Sequence, residues 1–340
     1  MTWRIIPLFI MYSGCPYRCI YCNERIAAGD HPPNITEEFF NTVIENHLRT
    51  FRTADRIQIA FYGGNFTGMP EDYQVELLTY ARPYIERGLV HSVRISTRPD
   101  YINPGRLKLL EDFSVRTVEL GAQSMSDEVL RKSNRTHSAA QVRDAIALLK
   151  ERGFETGIHL MAGLPGDSMD GFLYSVEEVI SLRPDMARVH PTIVFRDTPL
   201  AGLYLSGDYT PLSLDDAVVY CKHALNRFTA EGIPVIRLGL QMNPAMEKPG
   251  VIIAGPFHPA FRSLVESAVF LDRAFDLIGS LDTHNASQVT FFMCDRDISY
   301  FRGMENRNLP LIRERIRPAG LRIKADPSMK RGTLAVSVDH

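Results

Sequence analysis

Three cysteines, Cys15, Cys19 and Cys22, fall within eight residues of the stretch "GCPYRCIYCN". The spacing C-x3-C-x2-C suits a tight loop that turns several sulfurs toward one centre. Disulfides consume cysteines in pairs, and structural zinc takes four ligands. A zinc knuckle would therefore need a fourth ligand, for which Asp30 or His31 stand nearest downstream. Iron–sulfur clusters take one thiolate per iron. Three cysteines on a four-iron cluster would leave one iron open to bind a small molecule directly. The chain has five cysteines in all. Cys221 lies in an amphipathic stretch and Cys294 ends an apolar run, so both read as buried bystanders. Five cysteines with three clustered do not make a disulfide framework. Thiolates meant for a metal must stay reduced, which points to the cytoplasm.

Such a loop needs a scaffold. Apolar runs of strand length recur along the chain: "IIPLFIMY" (5–12), "IQIAFY" (57–62), "SVRIS" (92–96), "TVELGA" (117–122), "TGIHLMA" (156–162), "ARVHPTIVF" (187–195) and a seventh, "PVIRLGL" (234–240). They read as nearly continuous apolar runs, as in strands covered on both faces. Amphipathic stretches lie between them. One opens on Thr36 and lines up Phe39, Phe40, Val43, Ile44 and Leu48 on one face; others run from Ser138 to Gly153 and from Ser213 to Gly232. Strand alternating with helix predicts an α/β fold, a parallel partial TIM-type barrel of about six βα units. A doubly wound open sheet is the alternative. In either fold chemistry sits at the carboxyl ends of the strands.

Unusual residues collect at those ends. The first strand runs into the cysteine loop and the second into Gly63 and Gly64. The third ends at Ser96, Thr97 and Arg98, and the fourth at Gln123. The fifth carries His159 and the sixth His190.

The chain pattern changes near "QMNPAMEKPG" (241–250), which predicts a barrel over 1–241 and a small α+β C-terminal extension over 242–340. That extension carries a β-α-β-β-like run from Val289 to Val338. Residues 295–331 hold ten Arg or Lys against five Asp or Glu, in a chain whose formal charge is only −2. Arg302, Arg307, Arg313, Arg315 and Arg317 are the core of that excess. Arginine clusters bind phosphate backbones, although charge runs also occur as solvated helix faces. With 45% hydrophobic and 23% charged residues the composition is that of an ordinary soluble globular protein. No apolar stretch reaches membrane-span length, and no membrane partner is expected.

The cysteine loop resembles the signature of the radical S-adenosylmethionine (radical SAM) enzymes. "STRPDYI", "VELGAQSMSDEVLRKSNRTHS", "GIHLMAGLPGD" and "RVHPTIVFRDTPLAGLYLSGDYTPLSLDDAV" extend the likeness, above all to the radical SAM domain of the Elongator catalytic subunit. Oxygen-independent coproporphyrinogen oxidase is a more distant likeness. The resemblance implies a [4Fe–4S] cluster on Cys15, Cys19 and Cys22, with S-adenosyl-L-methionine on the open iron. It implies Tyr21 beside the adenine and Gly63 and Gly64 at the methionine end. Gln123 and Arg135 match a pair that contacts the ribose and the methionine carboxylate, and His159 falls near the ribose. Thr97 belongs to the same contact set. Asn65 stands where many members carry Glu, Ser or Thr, and Ser96 where the usual pattern has Glu. The acetyltransferase domain of the Elongator subunit has no counterpart motif in the residues after the barrel.

The implied activity is reductive cleavage of S-adenosylmethionine to a 5′-deoxyadenosyl radical, directed at a nucleoside in RNA, with an electron donor such as ferredoxin or flavodoxin. The same chemistry on a small molecule or tetrapyrrole is the alternative, as is a non-catalytic iron–sulfur or haem carrier of the same fold.

Overall fold

The computed structural model describes residues 3–11, 14–28, 32, 34–52, 56–240, 243–281 and 285–340. The expected boundary at 241–242 lies outside these residues, as do Asp30 and His31. The strands, in chain order, are β1 (Trp3–Phe9), β2 (Arg56–Tyr62), β3 (Ser92–Thr97), β4 (Val115–Gln123), β5 (Glu155–Ala162), β6 (Met186–Pro191), β7 (Val194–Phe195), β8 (Val235–Leu238), β9 (Ile252–Ala254), β10 (Gln288–Met293), β11 (Gly320–Ala325) and β12 (Leu334–Asp339). The chain divides into two compact units, Met1–Ser213 with Arg227–Phe257, and Leu214–Asn226 with His258–His340.

The first unit is built on one seven-stranded sheet in the order β1-β2-β3-β4-β5-β6-β8. Every neighbouring pair is parallel, so the sheet is a half-barrel with all its strand ends on one edge. Helices connect the strands, and their punctuation follows the sequence. Thr36 accepts from the Phe39 amide at 3.3 Å and opens the helix Glu37–Leu48. Ser138 and Gln141 form a reciprocal capping box at the start of Ala139–Glu151.

One strand differs from expectation. The run 187–195 is not one strand: β6 stops at Pro191, and β7 pairs antiparallel with β9 in a separate two-stranded sheet. The reason is the neighbour. Strand β5 ends at Ala162, whose carbonyl takes the Thr192 amide at 2.9 Å, and Gly163 then turns away with φ +75°. No ladder partner remains in the seven-stranded sheet for Val194, which pairs with Ala254 of β9 instead.

The strands are also less uniformly apolar than their composition suggests. Side chains alternate across a strand. One face is Ile6, Leu8, Ile59, Phe61, Val93, Ile95, Val118, Leu120, Ile158, Leu160 and Val189, all essentially inaccessible and packed toward the helices. The alternate positions carry Gln58, Tyr62, Arg94, Thr117, Glu119, His159 and Arg188. All of these but His159 are joined in a connected polar layer. Arg94 donates to Gln58 Oε1 at 2.9 Å and to Glu119 Oε1 at 2.8 Å. Gln58 donates to Ser92 and Thr117, each at 3.0 Å. Tyr62 donates to Glu119 at 3.2 Å and accepts from Arg188 at 2.6 Å, and Arg188 Nε lies 2.5 Å from Glu119 Oε2. A Cβ at residue 157 would come within 2.9 Å of Glu119 Cγ, so Gly157 opens the space that the carboxylate fills.

The second unit packs the helix Phe261–Gly279 on a three-stranded sheet in the order β11-β10-β12. Strand β10 is parallel to β11 and antiparallel to β12. Phe270, Ala274 and Ile278 of the helix meet Val289, Phe291 and Met293 of β10, with Phe301, Ile312 and Ile316 closing the core. Between β10 and β11 lie two helices, Ile298–Arg302 and Asn308–Arg315, where the sequence suggested one.

Among the described residues, Glu119 is the only carboxylate within 3 Å of Arg94 or Arg188. Removing one partner of a buried ionic network leaves uncompensated charge, at a cost of about 3–5 kcal/mol. Glu119→Ala is expected to lower the unfolding free energy by about that amount in urea titrations. A loss below about 1 kcal/mol would show the network to be an ordinary surface-like pair.

Candidate functional site

The loop after β1 has no repeating structure from Gly14 to Asn23. Its backbone polar groups therefore need partners from elsewhere. The partners come from the ends of other strands. Asn65, just after β2, donates from Nδ2 to the Gly14 carbonyl at 2.8 Å. Asn134, in the loop that follows β4 and the helix Asp127–Lys132, donates to the Arg18 carbonyl at 2.8 Å. The Ile20 amide donates to the Ser133 carbonyl at 3.3 Å, and the Ile20 carbonyl accepts from the Leu200 amide at 2.9 Å. Asn23 donates to the Arg196 carbonyl at 3.0 Å, and Asn243 to the Ile26 carbonyl at 2.8 Å. The three-cysteine loop is thus laid across the carboxyl edge of the sheet and tied to it at several points.

All three cysteines are free thiols; Cys19 is buried, Cys15 and Cys22 half-buried. Burial pushes the Cys15 thiol up to about 12, with Glu24 and Cys19 adding to the effect. Cys22 is driven well upward by burial and then by Glu24. Without a metal these two groups are protonated. A metal must displace the protons, which is the usual coupling of thiolate sites. No three Cys, His, Asp or Glu side chains among the described residues converge on a single ion. A four-iron cube asks for something different, because its thiolates bind separate irons.

Asn65 and Thr97 prove to face the protein. Asn65 is inaccessible. Its Oδ1 accepts from Thr97 Oγ1 at 2.6 Å and from the Arg98 amide at 3.1 Å, while its Nδ2 holds Gly14. Thr97 also meets Thr67 Oγ1 at 2.5 Å. Only glycine fits around this knot. A Cβ on Gly14 (φ +71°) would lie 2.2 Å from the Asn65 carbonyl oxygen, and one on Gly68 would lie 2.1 Å from Asn65 Nδ2. Gly63 and Gly64 bend the chain out of β2 with φ +72° and +55°, and the Gly64 amide donates to Glu24 Oε1 at 2.6 Å. Ser96 stands opposite Glu119 in the β3–β4 register. Glu24 was not among the sequence candidates; its only signal was a carboxylate two residues past Cys22.

Gln123 and Arg135 do come together at the end of β4. Gln123 holds a left-handed backbone, φ +69°, a strained conformation for a non-glycine residue. Arg135 donates from Nη2 to the Gly121 carbonyl and from Nη1 to Cys19 Sγ at 3.4 Å. The loop that carries it is braced: Thr136 accepts from Arg98 at 2.5 Å, and His137 donates from Nε2 to the Ala122 carbonyl at 3.1 Å. Burial, with Arg135 beside it, lowers His137 to about 3, so that imidazole is neutral. Arg98 is in turn held by Asp100 at 2.8 Å. Tyr21 packs with Val194, Leu200 and Tyr209. His159 lies one turn of the pleat before the end of β5, its ring centroid 4.3 Å from that of His190. Burial lowers His159 to about 3 and His190 further below its ordinary value.

Several buried polar atoms have no partner among the described residues: Gln123 Oε1, Arg135 Nε, His159 Nε2 and His190 Nε2. Buried polar groups are normally satisfied. Such groups, with Arg135 on Cys19 Sγ, fit a polar ligand held near a thiolate-bound cluster.

Comparisons with known proteins identify a family and relatives of the chain. A family model described as the radical SAM superfamily matches residues 9–179, and one described as the radical SAM C-terminal domain matches 184–269. Elongator complex protein 3 of Homo sapiens is 29% identical over 195 residues, covering 52% of this chain and 36% of the relative. The tRNA uridine(34) acetyltransferase of Methanocaldococcus infernus is 26% identical over 259 residues, covering 65% of this chain and 48% of the relative. The chain thus spans between about a third and a half of these relatives. The solved structure of the archaeal Elp3 of Methanocaldococcus infernus, with an N-terminal deletion, has the same fold. It superposes with a TM-score of 0.61 at 21% identity, covering 79% of this chain and 63% of that one.

Asn65→Ala removes the partner of the Gly14 carbonyl, the Thr97 hydroxyl and the Arg98 amide at once. Each buried group left unsatisfied costs about 1–3 kcal/mol. The variant is expected to lose about 3 kcal/mol of stability or more. Hydrogen exchange over 14–23 should quicken beyond the change seen elsewhere. Unchanged exchange in that loop would show that Asn65 does not tether it.

Proposed function

We propose that this chain, which belongs to the radical SAM superfamily, uses a reduced [4Fe–4S] cluster to cleave S-adenosylmethionine and turns the resulting 5′-deoxyadenosyl radical on a nucleoside in RNA. The observation that carries the reading is the cysteine loop tied across the carboxyl edge of a parallel sheet with Arg135 on Cys19 Sγ, while Gln123 and His159 carry buried atoms that have no partner among the described residues. Cys15, Cys19 and Cys22 would be the cluster ligands. The backbone of Gly63 and Gly64, bent out of β2 by positive φ, would receive the methionine amino group on its carbonyl oxygens, the Gly64 amide being held by Glu24. Gln123 Oε1 would accept from a ribose hydroxyl, and His159 Nε2 would accept from or donate to one, as its tautomer dictates. Tyr21 would close the adenine side. Asn65 and Thr97 act one step back, holding the loops that present these groups.

A nucleoside target is supported by the matched relatives, one of which is named for tRNA uridine 34. It is also supported by the second unit. Arg302, Arg307, Arg313, Arg315 and Arg317 are all exposed, and none forms an ion pair with a described residue. Arg315 lies over the Phe275 ring at 5.5 Å. Free guanidinium groups of this kind suit phosphate contacts. The proposal includes a ferredoxin- or flavodoxin-like electron donor and a reducing, cytoplasmic setting for the thiols. No helix among the described residues is long and apolar enough to cross a membrane.

Two outcomes are expected. After anaerobic reconstitution, iron and sulfide should approach about four each per chain, the complement of one cube. Cys15→Ala, Cys19→Ala and Cys22→Ala should each abolish the cluster, while Cys221→Ala and Cys294→Ala keep it. With dithionite and S-adenosylmethionine, mass spectrometry should find 5′-deoxyadenosine. Tightly bound stoichiometric zinc in protein purified without oxygen would overturn this assignment. The second outcome concerns RNA. Binding should weaken with salt at a log–log slope of about −0.7 per phosphate contacted on a single strand. Reversing Arg313 and Arg315 to Glu should flatten that slope. Affinity indifferent to salt between about 50 and 200 mM would remove the RNA reading and favour a small-molecule substrate.

A further inference from the structure

The likeness to known enzymes casts Arg135 as a contact for the methionine carboxylate or ribose. The structure gives its guanidinium a different engagement. Nη1 donates to Cys19 Sγ at 3.4 Å and Nη2 to the Gly121 carbonyl. The two bonds use opposite arms of one planar group, so the fork is fixed in the plane that joins β4 to the cysteine loop. Its backbone is held as well. The Arg135 amide donates to the Leu130 carbonyl at 2.9 Å, and on either side Asn134 holds Arg18 while Thr136 is held by Arg98. A guanidinium placed this firmly against a sulfur is not a side chain awaiting a ligand to order it.

We infer that Arg135 sets the reduction potential of the cluster by donating a charge-assisted hydrogen bond to the Cys19 sulfur. The inference rests on the cluster assignment proposed above. Cluster potentials respond to net charge, hydrogen bonds to the sulfurs and solvent exposure. Reduction is a one-electron step: the oxidised [4Fe–4S]2+ cluster takes one electron from dithionite, or in the cell from a low-potential carrier, and becomes [4Fe–4S]+. The donor is oxidised by the same electron, and no bond is made or broken. The added electron raises the negative charge on the thiolates. Cys19 is 8% exposed, so water compensates little of that change. A fixed cation on its sulfur stabilises the reduced form more than the oxidised one. Arg135 thus acts through Cys19 and makes the cluster easier to reduce.

The test is a redox titration of the reconstituted full chain without S-adenosylmethionine, followed by the electron paramagnetic resonance of the reduced cluster. Arg135→Gln should shift the midpoint negative. The expected shift corresponds to at least a tenfold fall in the reduced-to-oxidised ratio at a given potential, about 59 mV for one electron. Arg135→Lys keeps the charge but not the two-armed bridge, and should fall between. Arg131→Gln removes an exposed charge from the same segment without touching a sulfur and should leave the midpoint in place. Where Arg135→Gln does not hold iron, Arg135→Lys supplies the comparison. A native midpoint in whichever Arg135 variant holds four irons overturns the inference, as does an equal shift in Arg131→Gln. A wild-type chain that takes up no four-iron cluster overturns the cluster assignment itself, and the role of Arg135 falls with it.

Discussion

The carbonyl oxygens of an irregular loop govern the rest of this site. Between Gly14 and Asn23 the chain has no ladder or helix to satisfy its backbone, yet it must hold three thiols in a fixed relation to the sheet. Asparagine side chains solve this. Asn65 reaches the loop from the end of β2 and Asn134 from beyond β4, each at 2.8 Å from a loop carbonyl. An amide side chain suits the task because one end donates while the other accepts. Asn65 uses both ends, binding Gly14 on one side and Thr97 and Arg98 on the other. The position of the cysteines is therefore set by strands that lie far apart in sequence. The loop does not depend on a cluster alone for its cross-links.

Two kinds of buried polar group separate structure from function. The layer of Gln58, Arg94, Glu119, Tyr62 and Arg188 is densely bonded within itself, and such a network specifies one arrangement of the strands. Nearer the carboxyl edge the pattern reverses, and Gln123, His159 and His190 keep buried atoms without partners among the described residues. A stable fold tolerates few such groups, so their clustering is informative. Burial keeps both imidazoles neutral, which leaves them as hydrogen-bonding groups. The raised Cys15 and Cys22 thiols belong to the same logic: they are poor thiolates until a metal takes their protons.

Much of the scaffold was legible because parallel strands leave a strong trace. Apolar runs such as Ile57–Tyr62 and Thr156–Ala162 locate their strands to within a residue or so, and Ser138 with Gly153 marks the limits of a helix. The break after Pro191 was not legible, because it depends on where the neighbouring strand stops. The polar layer left a faint signal, a single Gln, Arg or Glu at alternate positions in runs that otherwise read as apolar. Asn65 shows the limit of reading a site by motif position. Its place after two glycines suggested a ligand contact, while its side chain turned out to bind the protein on every side. Arg135 was identified as a site residue, but its sulfur partner is 116 positions away in the chain and only folding reveals it.

The central claim is that three cysteines leave one iron of a four-iron cluster open to S-adenosylmethionine. The most direct measurement is pulsed electron–nuclear double resonance on the reduced cluster with S-adenosylmethionine labelled with nitrogen-15 at the amino group. The account predicts a hyperfine coupling from that nitrogen, large enough to require direct coordination, and a change in the cluster's g-values when the labelled molecule is added. A protein with four irons bound whose spectrum is unaltered by saturating S-adenosylmethionine, with no coupling from the label, would contradict it.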